Sequence, residues 1–326
     1  MFMKTDKKIE YGSPIFNLEN IDTYSNEIYI KREDLLPKYF GGNKARIAVA
    51  FVNDALKNGY DTVLAYGSAS SNMCRVITML CKEKNLHCAV LSSVEDGEEY
   101  NHTINSRITE STGFPFFTCK KSEVAVTLKK IISDLTAAGK KVYYIYDKVN
   151  IPTGVSAYRE AFNEIASSEI DFDIIFHASG TGLTQAGLIC GKILAPENSP
   201  CKNADIVGIS VSRDEEKEKS ILQEYVANYL TASGNSDKVA STASSIHFTD
   251  LYTLGGYGKY DQALLAKLAE LMYKEGIGLD PIYSGKAFFG MLSYLKDNNI
   301  SGKKILFINT GSAPLFFDKL PEINSK

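Results

Sequence analysis

Asp173-Ile174-Ile175-Phe176-His177-Ala178 runs directly into Ser179-Gly180-Thr181-Gly182-Leu183-Thr184, and a helical pattern follows to Leu194. A nearly continuous apolar run such as Ile174-Ile175-Phe176 reads as a strand buried on both faces, the mark of a parallel sheet. The small residues after it suit a sharp strand-to-helix turn. The same unit recurs on both sides. Strands are expected at Glu27–Lys31, Thr62–Tyr66, His87–Leu91, Phe114–Thr118, Lys141–Tyr146, Asp205–Val211 and Lys304–Ile308. Helices are expected at Asn43–Asn58, Asn72–Lys84, Asn101–Thr112, Glu123–Ala138, Leu183–Leu194, Asp214–Thr231, Asp261–Glu275 and Gly285–Lys296. Strands spaced by such helices imply βαβ units and an α/β fold built on open parallel sheets. Val149-Asn150-Ile151-Pro152-Thr153-Gly154 reads as a linker or domain crossover, and Ser233-Gly234-Asn235-Ser236 as a surface loop.

With 326 residues, 44% hydrophobic and 23% charged, the chain has the composition of a globular protein of about two domains or one large α/β unit. Wholesale disorder, coiled coil and collagen are excluded. A net charge of −3 argues against a nucleic-acid partner held by a basic surface. No apolar run approaches the roughly 20 residues that span a bilayer, and Met1-Phe2-Met3-Lys4-Thr5-Asp6-Lys7-Lys8 lacks the apolar core of a signal peptide. No membrane association and a cytoplasmic location are expected. Cys74, Cys81, Cys88, Cys119, Cys190 and Cys201 include no C-x-x-C pair and read as reduced, mostly buried thiols. His87, His102, His177 and His247 show no metal-ligand spacing, so no metal is expected. Asp214-Glu215-Glu216-Lys217-Glu218-Lys219 reads as a solvated helix start with acids in its first turn.

Five segments carry candidate chemistry. Ser179 to Thr184 could cradle a phosphate with converging N–H groups at a helix N-terminus, or could be only a tight turn. It is neither a Walker A loop nor G-x-G-x-x-G, since Gln185 stands where the third glycine would be. Gly41-Gly42-Asn43-Lys44-Ala45-Arg46 puts Lys44 in the first turn of a helix, where a cation is unfavourable. That placement suggests an amine of lowered pKa, against the plainer reading of an exposed lysine. Gly67-Ser68-Ala69-Ser70-Ser71-Asn72 could hold a carboxylate, or a serine there could simply be an N-cap. Leu279-Asp280-Pro281-Ile282-Tyr283-Ser284-Gly285-Lys286 leads into a helix, and Asn309-Thr310-Gly311-Ser312-Ala313-Pro314 follows the last strand. Four of the five follow a predicted strand directly or nearly so, where open parallel sheets bind ligands.

Together these residues resemble the pyridoxal-phosphate (PLP) enzymes of the D-cysteine desulfhydrase and 1-aminocyclopropane-1-carboxylate (ACC) deaminase family, of the tryptophan synthase β-like fold (fold type II). The matching segments, in order, are Ile30-Lys31-Arg32-Glu33-Asp34-Leu35, Gly41-Gly42-Asn43-Lys44, Ser71-Asn72, Ala178-Ser179-Gly180-Thr181 with Thr184 and Ala186-Gly187, Leu279 through Ala287, and Thr310-Gly311 with Ala313-Pro314. They span about Ser13 to Asp318. The resemblance implies a two-domain chain with the cofactor in the cleft: residues 1–46 and 156–326 as a large domain, 47–155 as a small one. It implies that Lys44 anchors PLP covalently, and that Ser179, Gly180, Thr181, Gly182, Leu183 and Thr184 surround its phosphate. Asn43 or Asn72 would lie near the phenolic oxygen, and Thr310 would face the pyridine nitrogen. Ser71 and Asn72 would meet the substrate carboxylate, and Tyr257 and Tyr283 would approach cofactor or substrate. The implied reaction is α,β-elimination on a small amino acid, with D-cysteine as first candidate, giving pyruvate, ammonia and sulfide. A homodimer is implied as well.

Ser284 and Thr310 place the chain on the desulfhydrase side of this family rather than with the ACC deaminases. The chain also departs from the family pattern at Ile47, Met73, Leu183, Asn309 and Ser312. These departures are either drift or marks of a changed substrate or reaction. β-Replacement, deamination of another small amino acid including ACC, and a non-catalytic PLP-binding role stay open. Retention of Lys44 and Tyr283 argues against the last.

Overall fold

The computed structural model describes residues 12–323. Its strands form two sheets. The larger has six strands in the order β1 (Ile15–Asn17), β2 (Glu27–Arg32), β10 (Lys304–Asn309), β7 (Ile174–Ser179), β8 (Asp205–Ser210), β9 (His247–Thr249). All its neighbours run parallel except the edge pair β1–β2. The smaller has four parallel strands in the order β5 (Phe116–Lys120), β4 (His87–Val94), β3 (Thr62–Ser68), β6 (Val142–Tyr144). The four-stranded sheet lies in the middle of the chain. The six-stranded sheet draws strands from both ends, so its centre is the last strand, β10, paired with the early β2 (Ile305↔Ile28, Ile308↔Lys31).

Side-chain alternation along these strands divides the interior. Ile174, Phe176, Val207, Ile209, Ile305 and Phe307 face one apolar cluster with α8 (Gln262–Glu275) and α9 (Ser284–Asp297). Ile175, Ile206, Leu306 and Ile308 face the other. That second cluster takes in α1 (Asn43–Lys57), α5 (Ile151–Ala166), α6 (Leu183–Leu194), α7 (Glu215–Ala232) and, from the smaller sheet, β3 and α2 (Asn72–Lys84). The far side of the smaller sheet packs Leu64, Ala89 and Leu91 against α4 (Val124–Ala137). The remaining helices are α3 (Ile104–Ser111) and α10 (Ala313–Ile323).

The expected strands and helices recur with ends shifted by a few residues; α2 and α6 match their expected bounds. The reading of Val149–Gly154 as a linker is corrected. Ile151 opens the sixteen-residue helix α5. Pro152 stands in its first turn, where a missing N–H costs nothing. Gly154 is small because a Cβ there would come within 2.5 Å of the Phe51 ring. Further along the same contact, Gly187 and Gly191 of α6 would each put a Cβ 2.4 Å from Tyr158 and Phe162 of α5. The glycines mark close helix packing, not a break. β1, β9 and α10 were also not anticipated, the two strands being only three residues long. The first eleven residues, which include the stretch read for a signal peptide, lie outside the described residues.

A buried ionic network ties α1 to this frame. Glu33 is wholly buried and accepts from Arg46 Nε (2.6 Å) and Nη2 (2.9 Å), Ser13 Oγ (2.5 Å) and Tyr158 Oη (3.0 Å). Arg46 and Lys31 both reach on to Glu164. Burial alone would raise the Glu33 pKa, but the charge and hydrogen bonds of Arg46 and the charge of Lys31 outweigh it and hold the carboxyl below its ordinary range. A carboxyl depressed on folding lends stability above its unfolded pKa and withdraws it as pH falls through the folded value. Replacing Glu33 by Gln leaves Arg46 and Lys31 to share Glu164 and should cost about 3 kcal/mol in urea unfolding at neutral pH. It should also flatten the acid limb of the stability curve.

Candidate active site

The carboxyl ends of both sheets open into one cavity of about 730 Å³. Asn43, Lys44, Ser71, Asn72, Gly180, Thr181, Tyr257, Tyr283 and Thr310 all line it. Segments separated by more than 260 residues meet there. Ser179, Gly182, Leu183 and Thr184 stand behind the wall. Leu183 has no exposed surface and belongs to the apolar cluster against α5.

The junction of first helix and last strand is backbone against backbone. Asn43 N–H donates to Thr310 O (2.9 Å), and Gly42 N–H to Glu33 O (2.7 Å). Gly42 (φ +92°) and Gly311 (φ +94°) lie so close that a Cβ on Gly311 would stand 2.3 Å from Gly42 Cα. Asn43 Nδ2 donates to Thr184 Oγ1 (2.9 Å), which ties α1 to the first turn of α6. Lys44 follows in the first turn of α1. Its amine has no hydrogen-bond or ion-pair partner among the described residues, and burial pushes it down to about 8. The unfavourable helix-start position thus belongs to an amine that is partly neutral near physiological pH.

Ser71 caps α2, its Oγ accepting from Cys74 N–H (3.2 Å). The cap does not remove it from the cavity, since the first-turn N–H groups it exposes have no intrahelical acceptor. Asn72 is a hub: its Nδ2 donates to Ser312 Oγ (2.9 Å), and its Oδ1 accepts from Asn105 Nδ2 (2.9 Å) and Arg75 Nη2 (3.2 Å). Ser312 sits at φ +87°, a conformation that costs a non-glycine residue about 1–2 kcal/mol. Its hydrogen bond with Asn72 offsets part of that strain. Met73 is almost wholly buried yet borders the cavity, and Ile47 is wholly buried in the core. The cations on the cavity wall include Arg213 and Lys217, from the end of β8 and the start of α7.

Tyr257 and Tyr283 form a hydroxyl chain. Tyr257 Oη is hydrogen-bonded to Tyr283 Oη and to Ser68 Oγ (2.7 Å), and Tyr283 Oη donates to Ser70 O (3.3 Å). Burial raises both phenol pKa values, so both are protonated at neutral pH. Ser284 Oγ reaches Gly311 O (2.8 Å) and Thr310 Oγ1 (3.2 Å), and Asp280 accepts from Ile282, Tyr283 and Ser284 N–H at the start of α9. Burial raises Asp280 to about 6 against the pull of these donors. Ser68 and Ser70 belong to the small-residue turn read as a carboxylate cradle, whereas no sequence signal marks Arg213, which only the fold brings to the cavity.

A model of pyridoxal-phosphate dependent enzymes matches residues 7–311. The chain belongs to that family. D-Cysteine desulfhydrases of Salmonella newport and Yersinia pestis are 31% and 29% identical to it, over 95% and 96% of this chain and 94% of each relative. A solved ACC deaminase homologue is 30% identical with a TM-score of 0.82, covering 97% of this chain and 94% of its own. A hydrogen sulfide-producing enzyme from Fusobacterium nucleatum shares the fold, with a TM-score of 0.65 at 22% identity over 93% of this chain and 96% of its own. Fold type II, a PLP cofactor and enzymatic activity follow from this membership. The residues present fit the cofactor. An unpartnered, half-buried amine on the cavity wall suits its aldehyde, and Gly180 and Thr181 line the cavity just before α6, where backbone N–H groups suit its phosphate. Since only the free amine attacks an aldehyde, capture of PLP by cofactor-free enzyme should speed up as pH rises through about 8 and level off above it. Stopped-flow absorbance would show this; a rise continuing to the ordinary lysine range would contradict the burial of Lys44.

Proposed function

We propose that this PLP-dependent enzyme carries out α,β-elimination on D-cysteine, releasing pyruvate, ammonia and sulfide. One observation carries the reading: a partly neutral lysine amine, a paired phenol chain and a helix N-terminus converge on one cavity in a chain similar along its length to D-cysteine desulfhydrases. When bound, the cofactor supplies a sink for the electron pair left at Cα of an amino acid.

The chain's own residues take the remaining roles. Lys44 anchors the cofactor and then, as a free amine, accepts the Cα proton. Ser71 and the first turn of α2, with Asn72, hold the substrate carboxylate by N–H and hydroxyl donation. Tyr257 and Tyr283 are protonated donors for the departing thiolate. Gly180 and Thr181 would border the cofactor phosphate, backed by Ser179, Gly182, Leu183 and Thr184 behind the wall, with Asn43 bonded to Thr184. Thr310, a neutral hydroxyl on the cavity wall, would lie beside the pyridine nitrogen and, carrying no charge, would leave it largely unprotonated.

Elimination and β-replacement are separated by their products. Met73, bordering the cavity after Asn72, and strained Ser312, near the pyridine side and bonded to Asn72, keep replacement as the second reading. Incubation with D-cysteine should release pyruvate and sulfide in equal amounts, whereas replacement yields a new amino acid and no pyruvate. Lys44→Ala should lose the visible band of the bound cofactor and reduce turnover by at least about a thousandfold. Retention of both would show that Lys44 is the wrong lysine. We also propose a homodimer, which sedimentation of the purified enzyme would report directly.

A further inference from the structure

Lys286, in the first turn of α9, has no exposed surface and no carboxylate at ion-pair distance among the described residues. Its ammonium instead spends its three protons on main-chain carbonyls of two other segments. Nζ donates to Thr253 O (2.8 Å) and Gly256 O (2.6 Å), and at longer reach to Val211 O (3.4 Å). Burial pushes this amine down to about 8, with Asp280 opposing. An apolar side chain would fill the same space without burying a charge, so the charge answers to the carbonyls it meets.

Those carbonyls belong to an unusual turn. Leu254, Gly255, Gly256 and Gly258 all have positive φ, at 54°, 91°, 115° and 71°. Its glycines are unpacked, since a Cβ on Gly256 or on Gly258 would meet nothing within 4 Å, while Leu254 packs on the apolar cluster of α8 and α9 and the Tyr257 ring meets Tyr283 edge-on. Tyr257 emerges from this turn, and its hydroxyl reaches Ser68 Oγ and Tyr283 Oη. Val211 continues β8 beside the Gly180 loop, where a Cβ on Gly180 would lie 3.3 Å from it. One buried ammonium therefore joins the strand end flanking Gly180 to the turn that delivers Tyr257.

We propose that Lys286 is a positioning residue: its ammonium gathers the Thr253 and Gly256 carbonyls and so fixes the Tyr257 hydroxyl between Ser68 and Tyr283. Its effect on turnover rests on the role given to Tyr257 above; the anchoring does not. Hydrogen exchange of the holoenzyme tests the anchoring without any substrate. In Lys286→Met, amides of residues 253–258 should exchange about tenfold faster or more, with β3 and α8 unchanged. Lys286→Gln, which keeps donors without the charge, should give a smaller rise and serves where the Met variant fails to fold. Unchanged exchange over 253–258 overturns the proposal.

Kinetics add a readout that general destabilisation would not produce. Lys286→Met and Tyr257→Phe should each lower kcat on D-cysteine, and the double variant should match Tyr257→Phe within about a factor of two. Multiplying losses would overturn positioning through Tyr257. Faster exchange with full activity in Tyr257→Phe would uphold the anchoring and sink the role of Tyr257. An enzyme inactive on D-cysteine leaves the exchange result decisive.

Discussion

The contact of Gly42 with Gly311 governs the active site. Two backbones, each in a left-handed conformation, approach to a distance that no Cβ would tolerate, and Asn43 N–H closes on Thr310 O across the gap. That contact seats the start of α1 on the end of β10. Lys44 and Thr310 thereby border one cavity although they lie at opposite ends of the chain. Asn43 extends the link to Thr184, and Ser312, one residue beyond Gly311, to Asn72 on α2. A small shift at the glycine pair would move each of these groups.

Buried charge is the second organising element. The frame uses charge in compensated form, with Glu33, Arg46, Lys31 and Glu164 in one network. Nearer the cavity, three buried charges are satisfied by dipoles instead. Asp280 takes backbone N–H groups at the start of α9, Lys286 takes carbonyls, and Arg75 donates to Tyr39 O (2.5 Å) and lies over the Phe40 ring. Such groups position the backbone well because their partners are fixed main-chain atoms. They also keep pKa values displaced, as Asp280 and Lys286 show.

Much of this architecture was legible in the residues. Short, β-branched apolar runs such as Ile305-Leu306-Phe307-Ile308 read as strands covered on both faces, and Lys44 stands out because a cation rarely opens a helix. The main misreading had an equally plain cause. Val149 to Gly154 reads as a linker or domain crossover, whereas Pro152 suits a helix's first turn and Gly154 makes room for Phe51. Very short strands such as β1 and β9 carry too few residues to show a period. Lys286 sat in a recognisable segment, but nothing in that segment names Thr253 or Gly256 as its partners.

By itself the sequence determined the α/β class, the strand-loop-helix units and the candidate lysine, because these depend on local periodicity and on single residues out of place. Tertiary structure alone decided which loops share a cavity, that Leu183 and Thr184 lie behind its wall, and that Tyr257 meets Ser68 and Tyr283. The physical reason is range. Periodicity and capping act over a few residues, whereas the order of strands in a sheet and the burial of a charge are settled by contacts between segments hundreds of residues apart.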